Sequence, residues 1–184
     1  MGGQSYAVCS RPGVFSWDRL DRGTQMLLEA LEVAPGETVL DLGCGYGIVG
    51  LVAAEKAGTV YLVDADAEAV ESARRTVALH GRSNCRVVAG DGVAAVDSVS
   101  FDVVATNPPF HQGKATDLDL VQRWIRDIAN VLRPGGRLYL VANRFLRYED
   151  TLRAALTSVE AVCSDSRFKV LRAERSQGRP DGRP

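Results

Sequence analysis

The sequence predicts a doubly wound α/β fold, a mostly parallel sheet covered by helices on both faces. Two observations predict it. Near-continuous apolar runs of strand length alternate with amphipathic stretches of helical period, and the run at 38–43 passes through a glycine turn straight into a helix. Strands that are apolar on both sides cannot face water, so helices must cover them. After an irregular start, residues 21–31 (DRGTQMLLEAL) put Met26, Leu27, Ala30 and Leu31 on one helical face with Asp21 as N-cap, and APGE breaks the pattern. TVLDLG (38–43) is the first strand. The helix IVGLVAAEKAG follows and Gly58 ends it; TVYLVDAD is the second strand, and Asp66 caps a helix running to His80 and Gly81. CRVVAGD and FDVVATN are the third and fourth strands. A helix over 118–132, the turn RPGG and the strand RLYLVAN come next. Residues 148–158 read as a helix, EAVCSD and SRFKVLRA as a closing hairpin, and the polar residues from 174 to 184, rich in Gly and Pro, as a disordered tail. Residues 1–173 are expected to form one domain, with 1–16 irregular.

Bulk properties narrow the function classes. A chain of 184 residues, 46% hydrophobic and 24% charged, has the length and composition of one globular domain with an ample core. No run of eighteen apolar residues occurs and the start MGGQSYAVCSR has no apolar signal core, so a cytoplasmic protein without a membrane segment is expected. Cys9, Cys44, Cys85 and Cys163 are scattered and His80 and His111 are the only histidines, a distribution that indicates neither a disulfide framework nor a metal site. Charge is divided along the chain. Residues 1–120 hold 16 acidic against 9 basic side chains, a balance of −7, and residues 121–184 hold 7 against 13, a balance of +6. An Arg-rich half suits an anionic partner such as RNA, while scattered arginines also suit an ordinary solvated face.

In a doubly wound sheet, ligands sit beyond the carboxyl ends of the strands. The residues at those ends are DLGCGYG (41–47), Asp64, Asp91 with Gly92, and NPPF (107–110). Glycines let the backbone turn tightly and approach a ligand; Asp64 is placed to accept from a ribose diol, and Asp91 from an adenine amino group. GYGIVG satisfies G-x-G-x-x-G with Asp64 nineteen residues beyond Gly45, as a dinucleotide site requires. Asp41 argues for another ligand. An acid ahead of the glycines repels a pyrophosphate and attracts a cationic amino group, which S-adenosylmethionine carries beside its sulfonium.

NPPF supplies the complementary chemistry. Two prolines remove backbone donors and stiffen the corner, so the Asn107 side-chain carbonyl and the Pro108 main-chain carbonyl are acceptors that no local donor need occupy, and Phe110 offers a flat face. An exocyclic amine on a purine is a weak nucleophile because its lone pair is delocalised. Two acceptors for its two N–H groups let the nitrogen pyramidalise and aim that lone pair, while Phe110 stacks on the base. An Asp in place of Asn107 would keep an acceptor. His111 is assigned to substrate contact or loop structure, and Phe15 and Trp17 to a lid or to packing.

VLDLGCGYG, LVDAD, GDG and NPPF, in this order and spacing, resemble a class I S-adenosylmethionine-dependent methyltransferase. More narrowly, RPGVFSWDRLDRGTQMLLEAL, NPPFHQG, LRPGGRLYLVANRFLRYE and RFKVLRA resemble the catalytic domain of small-subunit ribosomal RNA guanine-N2 methyltransferases of the RsmC-like, methyltransferase small domain kind. The resemblance implies a Rossmann-like seven-stranded sheet with a reversed C-terminal hairpin strand. It also implies S-adenosyl-L-methionine held by Asp41, Gly43, Gly45, Asp64, Asp91 and Gly92, and a target base held by Asn107, Pro108 and Phe110. Its expected substrate is a guanine in RNA, most of all ribosomal RNA or a ribosomal particle. The bacterial ribosomal enzymes carry a degenerate copy of the fold ahead of the catalytic one, whereas these 184 residues hold a single copy. Methylation of adenine N6 or of a protein glutamine amide uses the same corner, and a non-catalytic RNA-binding module could keep the fold; both remain open at this point.

Overall fold

The computed structural model describes residues 5–108 and 115–177, with only the backbone of 115–118. Its elements are α1 (Arg22–Ala30), β1 (Thr38–Leu42), α2 (Ile48–Ala53), β2 (Thr59–Asp64), α3 (Ala67–Leu79), β3 (Cys85–Ala89), a 3₁₀ helix (Gly92–Val96), β4 (Phe101–Thr106), α4 (Ala115–Val131), β5 (Leu132–Asn143), α5 (Tyr148–Ala155), β6 (Thr157–Ser164) and β7 (Phe168–Glu174). The seven strands form one sheet in the order β3-β2-β1-β4-β5-β7-β6. β1 to β5 are parallel, and β7 runs antiparallel to both of its neighbours. This is the doubly wound, Rossmann-like architecture with one reversed strand.

Alternate residues of each central strand feed two cores. Val39, Leu62, Val103, Tyr139 and Val141 pack beneath α1, α2 and α3. Leu40, Leu42, Val104, Leu138 and Leu140 pack beneath α4, α5 and the 3₁₀ helix. Burying both faces of a parallel sheet is what makes these strands apolar throughout. Asp21 and Asp66 cap α1 and α3, accepting from Thr24 N–H at 3.0 Å and from Glu68 N–H at 2.7 Å.

Several boundaries differ from expectation. α2 stops at Ala53; the following residues tighten into i−3 bonds from Glu55 to Val52 and from Lys56 to Ala53 before Gly58, whose missing Cβ would lie 2.7 Å from the Gly36 carbonyl oxygen. RPGG is not a separate turn. It is an irregularity carried within β5, where the register with β4 jumps from Phe101↔Leu132 to Val103↔Arg137. α5 ends at Ala155, and residues 157 and 158 belong to β6, with Ser158 at φ 52. The tail is ordered further than its composition predicts. Glu174 is the last residue of β7, the Arg175 main chain exchanges hydrogen bonds with Gly135 and Gly136, and the Arg175 guanidinium donates to the carbonyls of Asn130 and Leu132. Residues 178–184 lie outside the described residues. Among the described residues, no helix is long and apolar enough to cross a membrane.

Candidate active site

The chain lays β2 and β3 on one side of β1 and then crosses to place β4 on the other. The loops leaving β1 and β4 therefore diverge and open a crevice at the carboxyl ends of the strands. A cavity of about 560 Å³ lies there, within the roughly 300–1,000 Å³ typical of small-molecule sites. Asp41, Gly43, Gly45, Asp64, Asp91, Gly92, Asn107 and Pro108 all line it. Phe110 and His111 lie outside the described residues. Phe15, 63% exposed, lines the cavity mouth with Val14, whereas Trp17 faces a separate depression with Tyr6 and Leu20.

The loop after β1 hangs from the end of β2: Gly43 and Cys44 N–H donate to the Val63 carbonyl at 2.8 and 3.0 Å. At Gly45 the backbone is left-handed, φ 55, and an added Cβ would meet no atom within 4 Å, so a side chain there would project into open cavity. Asp41 is buried, 3% exposed, and its Oδ2 accepts from Gly50 N–H at 2.8 Å. Burial pushes its carboxyl up to about 7 against the opposing effect of that N–H, and the charge of Asp64 adds to the rise. Such a group gains most from a cation placed beside it.

Asp64 does more than its strand-end position suggests. Its Oδ2 accepts from Gly45 N–H at 2.8 Å and its Oδ1 from Asp66 N–H at 3.0 Å, so the carboxylate ties the glycine turn to the start of α3 and keeps further lone pairs for a diol. Asp64→Ala is therefore expected to lower stability without any ligand, by roughly 1–3 kcal/mol for the backbone donors it leaves unmet. Chemical denaturation of the ligand-free protein measures this; an unchanged midpoint would remove the bracing role. Asp91 is the most exposed of the predicted acids, its side chain 73% accessible with the Arg123 guanidinium 3.9 Å away. It sits at the rim.

On the opposite wall, Asn107 follows β4. Its Nδ2 donates to Thr24 Oγ1 at 2.9 Å and to Asp21 Oδ1 at 3.3 Å. A carboxylate oxygen only accepts, so the amide nitrogen must face Asp21 and the carbonyl must face the other way. Asn107 Oδ1 is buried without a hydrogen-bond partner. Buried acceptors are nearly always satisfied, so this one calls for a donor from water or from a ligand.

Three lining residues escape a reading by local pattern. Asp21 reads as a helix cap, and it is one; the contact to Asn107 spans 86 positions and has no local signature. Tyr46 is an unspecified residue within the glycine motif, yet it is buried against the cavity, and burial together with the Asp21 charge pushes its hydroxyl up to about 12. Trp124 reads as core on α4. It is 7% exposed, its indole underlies Gly43 and Gly92, a Cβ on Gly92 would stand 3.2 Å from Nε1, and that N–H is buried without a partner.

Comparison with known proteins agrees with this geometry. The family model described as Methyltransferase small domain matches residues 5–172. A ribosomal RNA small subunit methyltransferase C of Hahella chejuensis is 45% identical over 166 residues, covering 89% of this chain and 48% of that protein. A ribosomal RNA large subunit methyltransferase G of Streptomyces avermitilis is 42% identical over 169 residues, covering 90% and 44%. The chain thus spans about half the length of the curated relatives it matches. Among solved structures, the T. thermophilus 16S rRNA N2 G1207 methyltransferase (RsmC) in complex with AdoMet and guanosine superposes with a TM-score of 0.87 at 35% identity, over 95% of this chain and 48% of that one. A cavity at the switch point of a seven-stranded sheet with one reversed strand, and a family model that spans nearly all of the chain, lead to one conclusion: the chain belongs to the methyltransferase small domain family.

Proposed function

We propose that this chain transfers a methyl group from S-adenosylmethionine to the exocyclic N2 of a guanine in RNA, ribosomal RNA above all. The observation that carries the reading is the fixed Asn107 amide, whose carbonyl stands unpartnered at the wall of a cavity that also holds a buried acid and a glycine cradle. The residues fit the cofactor: Asp41 suits the methionyl ammonium, Asp64 the ribose diol, and Asp91 with the Gly92 backbone the adenine. Bound there, S-adenosylmethionine supplies an electrophilic methyl on a positive sulfonium. Asn107 Oδ1 and the Pro108 carbonyl each accept one N–H of the target amine, so its lone pair turns out of the base plane, and the departing proton passes to solvent. Positioning and electrostatics account for the step. A base in RNA reaches such a cavity unpaired or flipped out of its stack. Nucleoside mass spectrometry of RNA incubated with the protein and cofactor tests the reading; N2-methylguanosine is expected, and N6-methyladenosine alone would replace it.

Strand direction supports one path for the RNA. β4 and β5 are parallel, so the loop after β5 stands on the same rim as Asn107. That loop carries Arg144, Phe145 and Arg147, and Phe145 is 82% exposed. An exposed ring between two arginines suits a base stacked on the ring with phosphates against the guanidiniums. RNA affinity is expected to fall steeply with salt, and Arg144→Ala or Arg147→Ala to lessen the slope of log affinity against log salt by about one each. Filter binding at several salt concentrations measures this, and slopes equal to wild type would move the RNA path elsewhere.

A further inference from the structure

We infer that Asp21 selects the base: its Oδ2 accepts the ring N1–H of guanine while Asn107 Oδ1 accepts an N–H of the 2-amino group. The inference rests on the guanine-N2 reading and adds the group that distinguishes guanine from other amino purines. Asp21 lines the same cavity as Asn107 and Pro108. One of its oxygens is fully engaged: Oδ1 accepts Thr24 N–H at 3.0 Å and Asn107 Nδ2 at 3.3 Å. The other, Oδ2, is buried and has no hydrogen-bond partner, and the same holds for Asn107 Oδ1. Two neighbouring side chains in contact therefore each present one unmet buried acceptor at one wall of one cavity.

Guanine carries two neighbouring kinds of donor on its Watson–Crick edge, N1–H and the 2-amino group. Acceptors on two side chains in contact, one of them a carboxylate oxygen, suit donors of that kind. Adenine offers a lone pair at N1, and so does 2-aminopurine, which has the same 2-amino group as guanine. Against either, Asp21 Oδ2 would set lone pair against lone pair. A site built to accept a hydrogen bond rejects the analogue that lacks the donor more strongly than an apolar pocket rejects a change of size.

The geometry also provides a variant that keeps the fold. In Asp21→Asn the side-chain carbonyl can still accept from Thr24 N–H and Asn107 Nδ2, and Asn caps a helix as well as Asp. Only the outer oxygen becomes an NH2. That group donates, so it opposes guanine N1–H and welcomes the N1 lone pair of 2-aminopurine.

The test is equilibrium binding of guanosine and of 2-aminopurine ribonucleoside to the full chain saturated with S-adenosylhomocysteine, followed by isothermal titration. Wild type is expected to prefer guanosine by about tenfold or more, and Asp21→Asn to lose or invert that preference while melting as wild type does. Guanosine binding with the same preference in both proteins would overturn the role of Asp21 and leave the proposed reaction standing. A variant weakened equally toward both nucleosides would reduce Asp21 to a structural cap and overturn the inference in the same way. Binding of neither nucleoside by wild type would overturn the guanine reading and this inference with it.

Discussion

Asn107→Ala is expected to slow methyl transfer on the order of a hundredfold while leaving affinity for S-adenosylmethionine within about twofold. The acceptor matters most as the amine pyramidalises and its N–H bonds polarise, so its loss falls on the rate of the chemical step, by roughly 2–4 kcal/mol. A smaller structural cost accompanies it. The amide is also a double donor to Asp21 Oδ1 and Thr24 Oγ1, and without it two acceptors at the start of α1 lose a partner, for about 1–2 kcal/mol of stability. Single-turnover methylation at saturating cofactor separates the two effects. A wild-type rate in the Ala variant would make Asn107 a loop residue and remove the mechanism proposed for the corner.

The companion substitution, Asn107→Asp, is expected to keep only part of the activity. It preserves an acceptor, so NPPF by itself suggests that some activity survives. In the structure the Asn107 amide nitrogen lies 3.3 Å from Asp21 Oδ1, so an aspartate would press two carboxylates together. Like charges at that distance force one group to take up a proton or the pair to separate. The Asp variant is therefore expected to be slower than wild type at neutral pH and to recover partly as pH falls.

How much of this was legible in the sequence depended on whether the signal was local. The central strands were, because burial on both faces demands unbroken apolar runs such as TVLDL and FDVVAT. So were the strand-end acids and glycines, since the parallel strands β1 to β5 bring their carboxyl ends to one rim. The 3₁₀ helix at Gly92–Val96 was not, because a single turn is too short to show a period. RPGG kept its turn chemistry and was still absorbed into β5 as an irregularity, which is decided by pairing with β4 and by Arg175, forty residues on. At the site, Asp21 carried a correct local reading that hid a long-range one. Trp124 was hidden in the opposite way: its place on an apolar helical face gives no sign that the same ring floors the glycine turn.

Asp41 carries a cost in the ligand-free fold, and under the proposed function it is the counter-charge of the ligand's ammonium. In the folded protein burial raises its carboxyl to about 7, while in the unfolded chain it titrates near 3.9. Between about pH 4 and pH 7 the folded form thus retains a proton that the unfolded form has released. With more protons bound to the native state, stability falls as pH rises through that window and levels off above it, by about 2–4 kcal/mol in all. Asp41→Asn removes the titration and can still accept from Gly50 N–H with its carbonyl, in nearly the same volume. The ligand-free variant is expected to match wild type near pH 4 and to exceed it in stability by about 2–4 kcal/mol at pH 8. Affinity for S-adenosylmethionine should move in the opposite direction, tenfold or more weaker in the variant, because the ammonium loses a buried counter-charge. Urea unfolding of both proteins across pH 4–8 isolates the residue, since every other titrating group is common to the two, and calorimetry at pH 8 gives the affinity. Parallel stability curves would refute the buried-charge account of Asp41, and equal affinities would release it from the ammonium.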